Sequence, residues 1–513
     1  MKKTINLLNI NFNFHSPICK HFITVILGSI SVLSFAPYSI YLIPYFTLMG
    51  LFWLWVYDDP KTAFLRGWLF GMGLMLPGTF WLRISISQFG GVNPLMANVA
   101  TFSFIAFVSM YFGLAGWIGC RITKHIPLRL IFSFPAAWCG IEWLRGWLFT
   151  GFPWLSIGYS QVDSPIGLGF APIVGVYGIG FLIAIHAGVA LLSIINWHKK
   201  SRYAIYGFIF IAVFWSSGLL FKQVQWSVPH GQPFYTSLIQ PSIPQSLKWD
   251  PDKLIPTLET YTSLTKQASG TLIVWPETAV PNFLHRVENE WLNPLTQTLA
   301  ARGAYLLVGT PVLDPNGQAY YNGAVLLGKN RADYYKRHLV PFGEYLPLKA
   351  LIGNLLKFLK IPMSNFTPGA LNSHSIRIGE HTVGVSICYE DAFGEEIRTA
   401  LPAASYLVNL SNDGWFGDSL APHQHLQISR MRAVETARPL IRATNSGISA
   451  IIGPRGEIQS STPLFTPTIL TGMVQPMLGV TPFILWGDKA ALAIAAILAV
   501  MAWIFSNGNI FEP

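Results

Sequence analysis

Between His21 and Tyr57 the chain carries no Lys, Arg, Asp or Glu, whereas residues 222–483 hold 20 basic and 18 acidic side chains. Two such stretches cannot share one solvent: the first asks for lipid and the second for water. Over all 513 residues 51% are hydrophobic and 11% charged, against about 25% charged in soluble proteins. The chain therefore reads as a membrane protein carrying a large extramembrane part.

A helical span needs roughly 17 to 25 apolar residues. On that rule eight spans are expected, near 21–36, 40–57, 63–82, 95–119, 128–149, 168–195, 203–221 and 484–506. Pro37 ends the first. The fifth holds Glu142 and Arg145, charges that need protein or water partners at membrane depth, so it is expected to pack inside the bundle. The organisation follows: a bundle of about seven helices over 1–221, a soluble domain over 222–483, and a last span with a short tail over 484–513.

The formal net charge is +10, yet 222–483 contributes only +2 of it. The remaining excess lies between apolar segments, where Lys and Arg mark the cytoplasmic side. Lys2, Lys3 and Lys20, then Lys61 and Arg66, then Arg121, Lys124 and Arg129, then Lys199, Lys200 and Arg202 occupy alternate connections. Both termini are thus expected in the cytoplasm and the soluble domain on the outer side of the membrane. Nucleic acid is not an expected partner. Reading the first segment as a cleaved signal peptide would reverse this parity against the other charges.

From Pro229 to Pro482 the pattern changes to short β-rich runs punctuated by Gly, Pro and Asn. Strands are expected at Tyr235–Ile239, Thr271–Trp275, Tyr305–Gly309, Gly323–Leu327, Thr382–Ile387, Tyr406–Asn409 and Ser449–Gly453. Helical composition marks Asp252–Thr265, Asn289–Ala301 and Gln424–Arg438. The mixture predicts an α/β sandwich.

Cys388 is the only cysteine of 222–483 and follows the apolar run Gly-Val-Ser-Ile. Outside the cell an unpaired thiol is a hazard unless it is used. Trp275-Pro276-Glu277-Thr278 and the segment from Tyr335 to Glu344 likewise stand at expected strand ends. Strand ends of a shared sheet converge on one rim, so Glu277, Lys336 and Cys388 can meet. Acyl transfer asks for such a set: a thiol to attack, a carboxylate to take its proton, and a cation for the oxyanion. Each group alone has an ordinary explanation, since Cys388 could pack as a small core residue, Glu277 could cap a helix and Lys336 could sit on a solvated edge. It is the combination that points to chemistry.

Trp-Pro-Glu, Lys-Arg-His-Leu-Val-Pro-Phe-Gly-Glu and Ile-Cys-Tyr-Glu, in this order, resemble the Glu-Lys-Cys signature of the carbon-nitrogen hydrolase (nitrilase) superfamily. With seven spans before the domain and one after it, the whole chain resembles the apolipoprotein N-acyltransferases. Residues 245–250 (Gln-Ser-Leu-Lys-Trp-Asp) and 412–416 (Asn-Asp-Gly-Trp-Phe) are similar to the same pattern. The resemblance implies a four-layer αββα domain on an eight-span bundle, with no metal and no cofactor. It implies a ping-pong reaction, in which Cys388 takes an acyl chain from a phospholipid, typically the sn-1 chain of phosphatidylethanolamine, and passes it to the N-terminal amine of a diacylglyceryl-cysteine lipoprotein. Glu277 would move the protons and Lys336 hold the oxyanion, with the Tyr389 amide as a second donor. Glu344 would orient Lys336 or substrate, Tyr389 and Glu390 match residues the family needs, and Trp249 and Trp415 would line the substrate entry. A monomer is expected.

Two further readings bear on this. The apolar stretch 346–366, with Lys349, Lys357 and Lys360 interspersed, is expected to be a membrane-surface arm or lid. A membrane-tethered amidase or nitrilase, releasing its acyl group to water, is the alternative function, and a non-catalytic scaffold a third; the bundle and arm favour a lipid donor. Cys19, Cys120 and Cys139 are expected to pack as small hydrophobes. His423 and His425 have metal-like spacing, but with no accompanying cluster of acids a surface or packing role is expected.

Overall fold

Ser16 and Asp59 open two of the apolar helices by accepting bonds from first-turn amides, Cys19 N at 3.2 Å and Lys61 N at 2.9 Å, with Pro17 and Pro60 just inside. In the computed structural model, which describes residues 6–7, 10–11, 16–197, 202–346, 365–371 and 375–507, the first part of the chain folds into helices. They are α1 (Pro17–Ser31), α2 (Ile43–Trp55), α3 (Pro60–Thr79), α4 (Pro94–Ile122), α5 (Phe134–Arg145), α6 (Pro165–Asn196) and α7 (Arg202–Phe221); the last apolar segment forms Lys489–Asn507.

Each of the eight expected segments contains a helix, but the count of spans is lower by length and composition. Among the described residues five helices are long and apolar enough to cross a membrane, or six if α3 and Leu82–Phe89, bent by 57°, form one span. Helix α2 has 13 residues and α5 has 12. Helix α5 continues directly from a π-helical turn, Arg129–Ser133, and carries charge within it: Glu142 and Arg145 are buried and 3.8 Å apart. Glu142 also accepts the Ile157 amide at 2.7 Å, and Arg145 donates to the Trp154 carbonyl at 2.8 Å. A loop that folds back beside the helix thus supplies partners to both charges, as buried charges require.

The β-rich part forms two six-stranded sheets. The first contains β1 (Phe234–Gln240), β2 (Leu272–Val274), β3 (Tyr305–Leu313), β4 (Tyr320–Leu327) and β5 (Ala332–Tyr335). The second contains β6 (Ser375–Ile378), β7 (His381–Ile387), β8 (Tyr406–Ser411), β9 (Leu440–Thr444), β10 (Ala450–Ile452) and β11 (Ile458–Ser461). Strand β12 (Thr468–Val474) returns to pair antiparallel with β1, giving the orders β12-β1-β2-β3-β4-β5 and β11-β10-β9-β8-β7-β6. In each sheet three central strands run parallel, β1-β2-β3 and β7-β8-β9, flanked by antiparallel ones.

Residues of both sheets, among them Leu238, Val274, Leu307, Val385, Val408 and Ile441, share one buried cluster. The opposite face of the first sheet packs Ile273, Leu306 and Val325 against Leu258 of α8 (Leu254–Gln267) and Leu295 and Leu299 of α9 (Asn293–Ala301). The opposite face of the second meets α10 (Ala421–Thr436) through Leu407, Leu440, Leu426 and Ala433. Helix α10 has a second buried side. Ile428, Met431 and Val434 belong to the core of the bundle, so this helix, polar in composition, is buried nearly all round. Two of its polar side chains, Gln424 and Glu435, find partners across the joint. Gln424 accepts from Trp154 Nε1 at 2.7 Å and donates to the Gly78 carbonyl at 3.1 Å. Glu435 accepts the Val176 amide at 2.8 Å where α6 breaks at Gly175, φ 65°. A broken helix frees that amide, and glycine alone adopts the turn without strain.

The expected arm falls mostly on 347–364, outside the described residues.

Candidate functional site

Glu277 follows β2, Lys336 follows β5 and Cys388 follows β7. Because β2 and β3 are parallel and two antiparallel pairings lead from β3 to β5, β2 and β5 end on the same rim. That topology brings Glu277 and Lys336 together: Lys336 Nζ lies 3.3 Å from Glu277 Oε1 and 2.9 Å from Glu344 Oε2. Gly309 on β3 makes room for the Glu277 turn, since a Cβ there would stand 2.2 Å from the Pro276 carbonyl oxygen and 2.8 Å from Glu277 Cα.

Cys388 arrives from the other sheet. Its backbone is left-handed, φ 54°, at the start of the short helix Cys388–Ala392. A non-glycine residue held there is strained by about 1–3 kcal/mol, and such strain gathers at functional sites. A set of hydrogen bonds holds the turn. The Cys388 carbonyl accepts from Asn409 Nδ2 at 3.2 Å. Glu390, fully buried, accepts the Ile387 amide at 2.7 Å through one oxygen and the Arg337 and His338 amides at 2.6 and 3.1 Å through the other. This one carboxylate spans from the residue before Cys388 to the two residues after Lys336, and so fixes thiol and ammonium relative to each other. Tyr334 adds a bond to it at 2.9 Å.

The electrostatics follow from burial. Burial opposes the Lys336 charge, but the carboxylates of Glu277 and Glu344 outweigh it and hold its pKa well above the ordinary value. Burial, and then the Glu277 carboxylate, push the Cys388 thiol up, with Lys336 opposing. The resting thiol is therefore protonated, and attack needs a base at that moment rather than a standing thiolate. Glu277, Lys336 and Cys388 are 6%, 1% and 8% exposed, a dry site in which each charge acts strongly.

Tyr389 is half-buried and points to the bundle, donating to the Gly151 carbonyl at 3.1 Å and stacking on Trp154 at 6.2 Å. Trp415 is half-buried, 5.4 Å edge-to-face from Phe89 in the bent piece after α3. Trp249 is half-buried too, and its buried Nε1 has no hydrogen-bond partner among the described residues. The two segments carrying these tryptophans meet where Asn412 Nδ2 donates to Gln245 Oε1 at 2.7 Å. Cys19, Cys120 and Cys139 are free and buried, as expected of small apolar packing groups.

Residues 27–189 match the apolipoprotein N-acyltransferase N-terminal domain, and residues 236–482 match the carbon-nitrogen hydrolase family. Apolipoprotein N-acyltransferase from Methylococcus capsulatus is 42% identical, covering 91% of this chain and 93% of its own. Those from Nitrosomonas europaea and Pseudomonas syringae pv. tomato are 39% and 37% identical, each covering 92% of this chain and 94% of its own. The chain belongs to the apolipoprotein N-acyltransferase family.

Within this N-acyltransferase fold lie polar residues that sequence reasoning missed. Asn322 on β4 donates through Nδ2 to both Glu277 and Glu344, at 2.8 Å each; nothing in Tyr-Asn-Gly announces it. Lys248 belongs to a segment similar to the family pattern but was given no role of its own, yet it is buried beside Glu277. His425 packs in the interior, one of the two roles expected of it, and it does so between two acids distant in sequence, Asp391 at 2.9 Å and Asp413 at 2.7 Å. Arg442 bridges the same two carboxylates at 3.2 and 2.9 Å, occupying the place of a cation, and among the described residues no cluster suits a metal. His423 is half-buried.

Proposed function

We propose that this chain transfers an acyl chain from a phospholipid, through a thioester on Cys388, to the α-amino group of the diacylglyceryl-cysteine that begins a lipoprotein. One observation carries the reading: a lysine ammonium clamped between two carboxylates, with a strained, protonated thiol in electrostatic reach. In the first half-reaction the Cys388 proton passes to Glu277 as sulfur attacks the ester carbonyl. Lys336, with the Tyr389 amide, holds the resulting oxyanion. The C–O bond breaks, the lysophospholipid oxygen takes the proton from Glu277, and the thioester remains. In the second, the neutral amine attacks the thioester carbonyl, Glu277 takes its proton, the C–S bond breaks and the thiolate is reprotonated. Glu344 and Asn322 keep Lys336 and Glu277 in register, Glu390 holds the Cys388 turn, and Trp249 and Trp415 line the entry.

The donor we favour is the sn-1 chain of phosphatidylethanolamine. A lipid donor is supported by Tyr389, adjacent to the thiol, whose hydroxyl meets the loop between α5 and α6. The finer architecture belongs to the same proposal: eight crossings with α2 and α5 completing the bundle, an αββα domain of four layers at 222–483 on the periplasmic face, and both termini in the cytoplasm. The working unit is a monomer without metal, cofactor or nucleic acid. The amidase alternative has no observation in its favour over transfer. Phosphatidylethanolamine labelled in its sn-1 chain tests the reading: a hydroxylamine-sensitive label on Cys388 that chases onto a diacylglyceryl peptide is expected, and release only as free fatty acid would overturn it.

A further inference from the structure

Lys336 is one ammonium shared by two carboxylates, which leaves the pocket short of positive charge. Glu277 and Glu344 both reach its Nζ. A second cation lies at the Glu277 backbone. Lys248 is 3% exposed, and its Nζ donates to the Glu277 backbone carbonyl at 3.0 Å. It forms no ion pair with a carboxylate among the described residues, although Glu277 and Cys388 both act on its charge. A buried ammonium at the Glu277 backbone, with no carboxylate bound to it, calls for a reason beyond packing.

We infer that Lys248 is a positioning residue and the second cation of the acyl-transfer site, holding the Glu277 backbone and setting a positive charge beside the carboxyl that takes the Cys388 proton. The inference rests on Glu277, Lys336 and Cys388 being the reacting groups. A cation near a carboxylate favours its charged form, and Lys248 stands at the Glu277 backbone. The groups facing Glu277 are Lys336 Nζ and Asn322 Nδ2 from the first sheet, Glu344 across them, Lys248 at its own carbonyl and the Cys388 thiol from the second sheet. Of these only Lys336 and Lys248 are cationic. Burial lowers the Lys248 pKa to about 8 against the pull of Glu277 and Cys388, so its charge is present at neutral pH.

The test follows thioester formation alone, with sn-1-labelled phosphatidylethanolamine and no amine acceptor, across a pH series on the full-length protein in detergent. Lys248→Gln keeps a donor for the carbonyl but removes the charge. The expected result is a rate about tenfold lower at neutral pH and an acid limb moved up by about one pH unit, the size of a lost neighbouring charge. A limb that stays in place, with or without a lower rate, overturns the inference and leaves Lys248 a packing group. If the Gln variant does not accumulate, Lys248→Arg decides: charge retained predicts an unmoved acid limb and activity within about tenfold of the parent, while a moved limb or an inactive Arg protein overturns it. Cys388→Ser is run alongside. A label on that protein sinks the thioester reading itself, whereas its absence beside an unmoved Lys248→Gln limb sinks only the role of Lys248.

Discussion

Cys388 combines three properties at one residue: a left-handed backbone, burial, and a thiol held in its protonated form. The left-handed backbone is the costly one, and the neighbouring Glu390 and Asn409 hydrogen bonds hold it in place. Cys388→Ala should lower transfer by at least about a thousandfold, as loss of a covalent nucleophile does, while the protein still folds; turnover and melting measured together check this. His425 is a second residue whose chemistry depends on its setting. Burial and Arg442 disfavour its charge, but Asp391 and Asp413 win and raise its pKa to about 9 from 6.5. A raised folded-state pKa contributes stability that is complete below pH 6.5 and disappears as pH rises through about 9. The melting temperature should therefore fall across that window, by an amount equivalent to up to about 3 kcal/mol, and His425→Gln should flatten the dependence. A parent melting curve that does not change between pH 6.5 and 9 would count against the buried imidazolium.

At the scale of elements, the strands that position the site were legible where their apolar runs are continuous. Tyr235–Ile239, Thr382–Ile387 and Tyr406–Asn409 fall inside β1, β7 and β8. The expected Ser449–Gly453 run is shorter in the structure, as β10 (Ala450–Ile452). Strand β5, Ala-Asp-Tyr-Tyr, and β12, with several half-buried or exposed residues, have no such run. Their strand character comes from edge pairing, which a single sequence does not display. Strand β9 was hidden differently: Leu-Ile-Arg-Ala-Thr contains Arg442, whose buried charge is acceptable only because Asp391 and Asp413 converge on it. Gly309 carries the clearest element-level prediction. Gly309→Ala would push its methyl group into the Pro276 carbonyl, costing about 1–3 kcal/mol of stability. Moving Glu277 by an ångström should also cost about a hundredfold in rate. Denaturant titration and single-turnover thioester formation separate the two effects.

For the whole molecule, the joint between sandwich and bundle runs through α10 and the Cys388 turn. Tyr159 in the bundle donates to the Ala392 carbonyl at 3.0 Å, and Arg432 Nη2 of α10 donates to the Tyr159 hydroxyl at 3.2 Å. Tyr159→Phe leaves these buried groups unpaired, at a cost of about 1–3 kcal/mol, and should lower the melting temperature without moving the pH dependence of activity. The proposed topology is testable at the same scale. A membrane-impermeant maleimide should label Asn289→Cys in intact cells, and Lys61→Cys only after permeabilisation; labelling of both without permeabilisation would remove the assignment of sides.

The sequence by itself determined the two solvents, the order of apolar segments, the expected outer side and the three motifs that bring Glu277, Lys336 and Cys388 into consideration, because charge distribution and local periodicity are properties of neighbouring residues. Only the tertiary structure decided that Asn322 and Lys248 close around Glu277, that two distant aspartates flank His425, and that α10 is buried on both sides. Those facts arise where strands remote in the chain end side by side. A polar residue bound to partners tens or hundreds of positions away looks, in one dimension, like any solvated one.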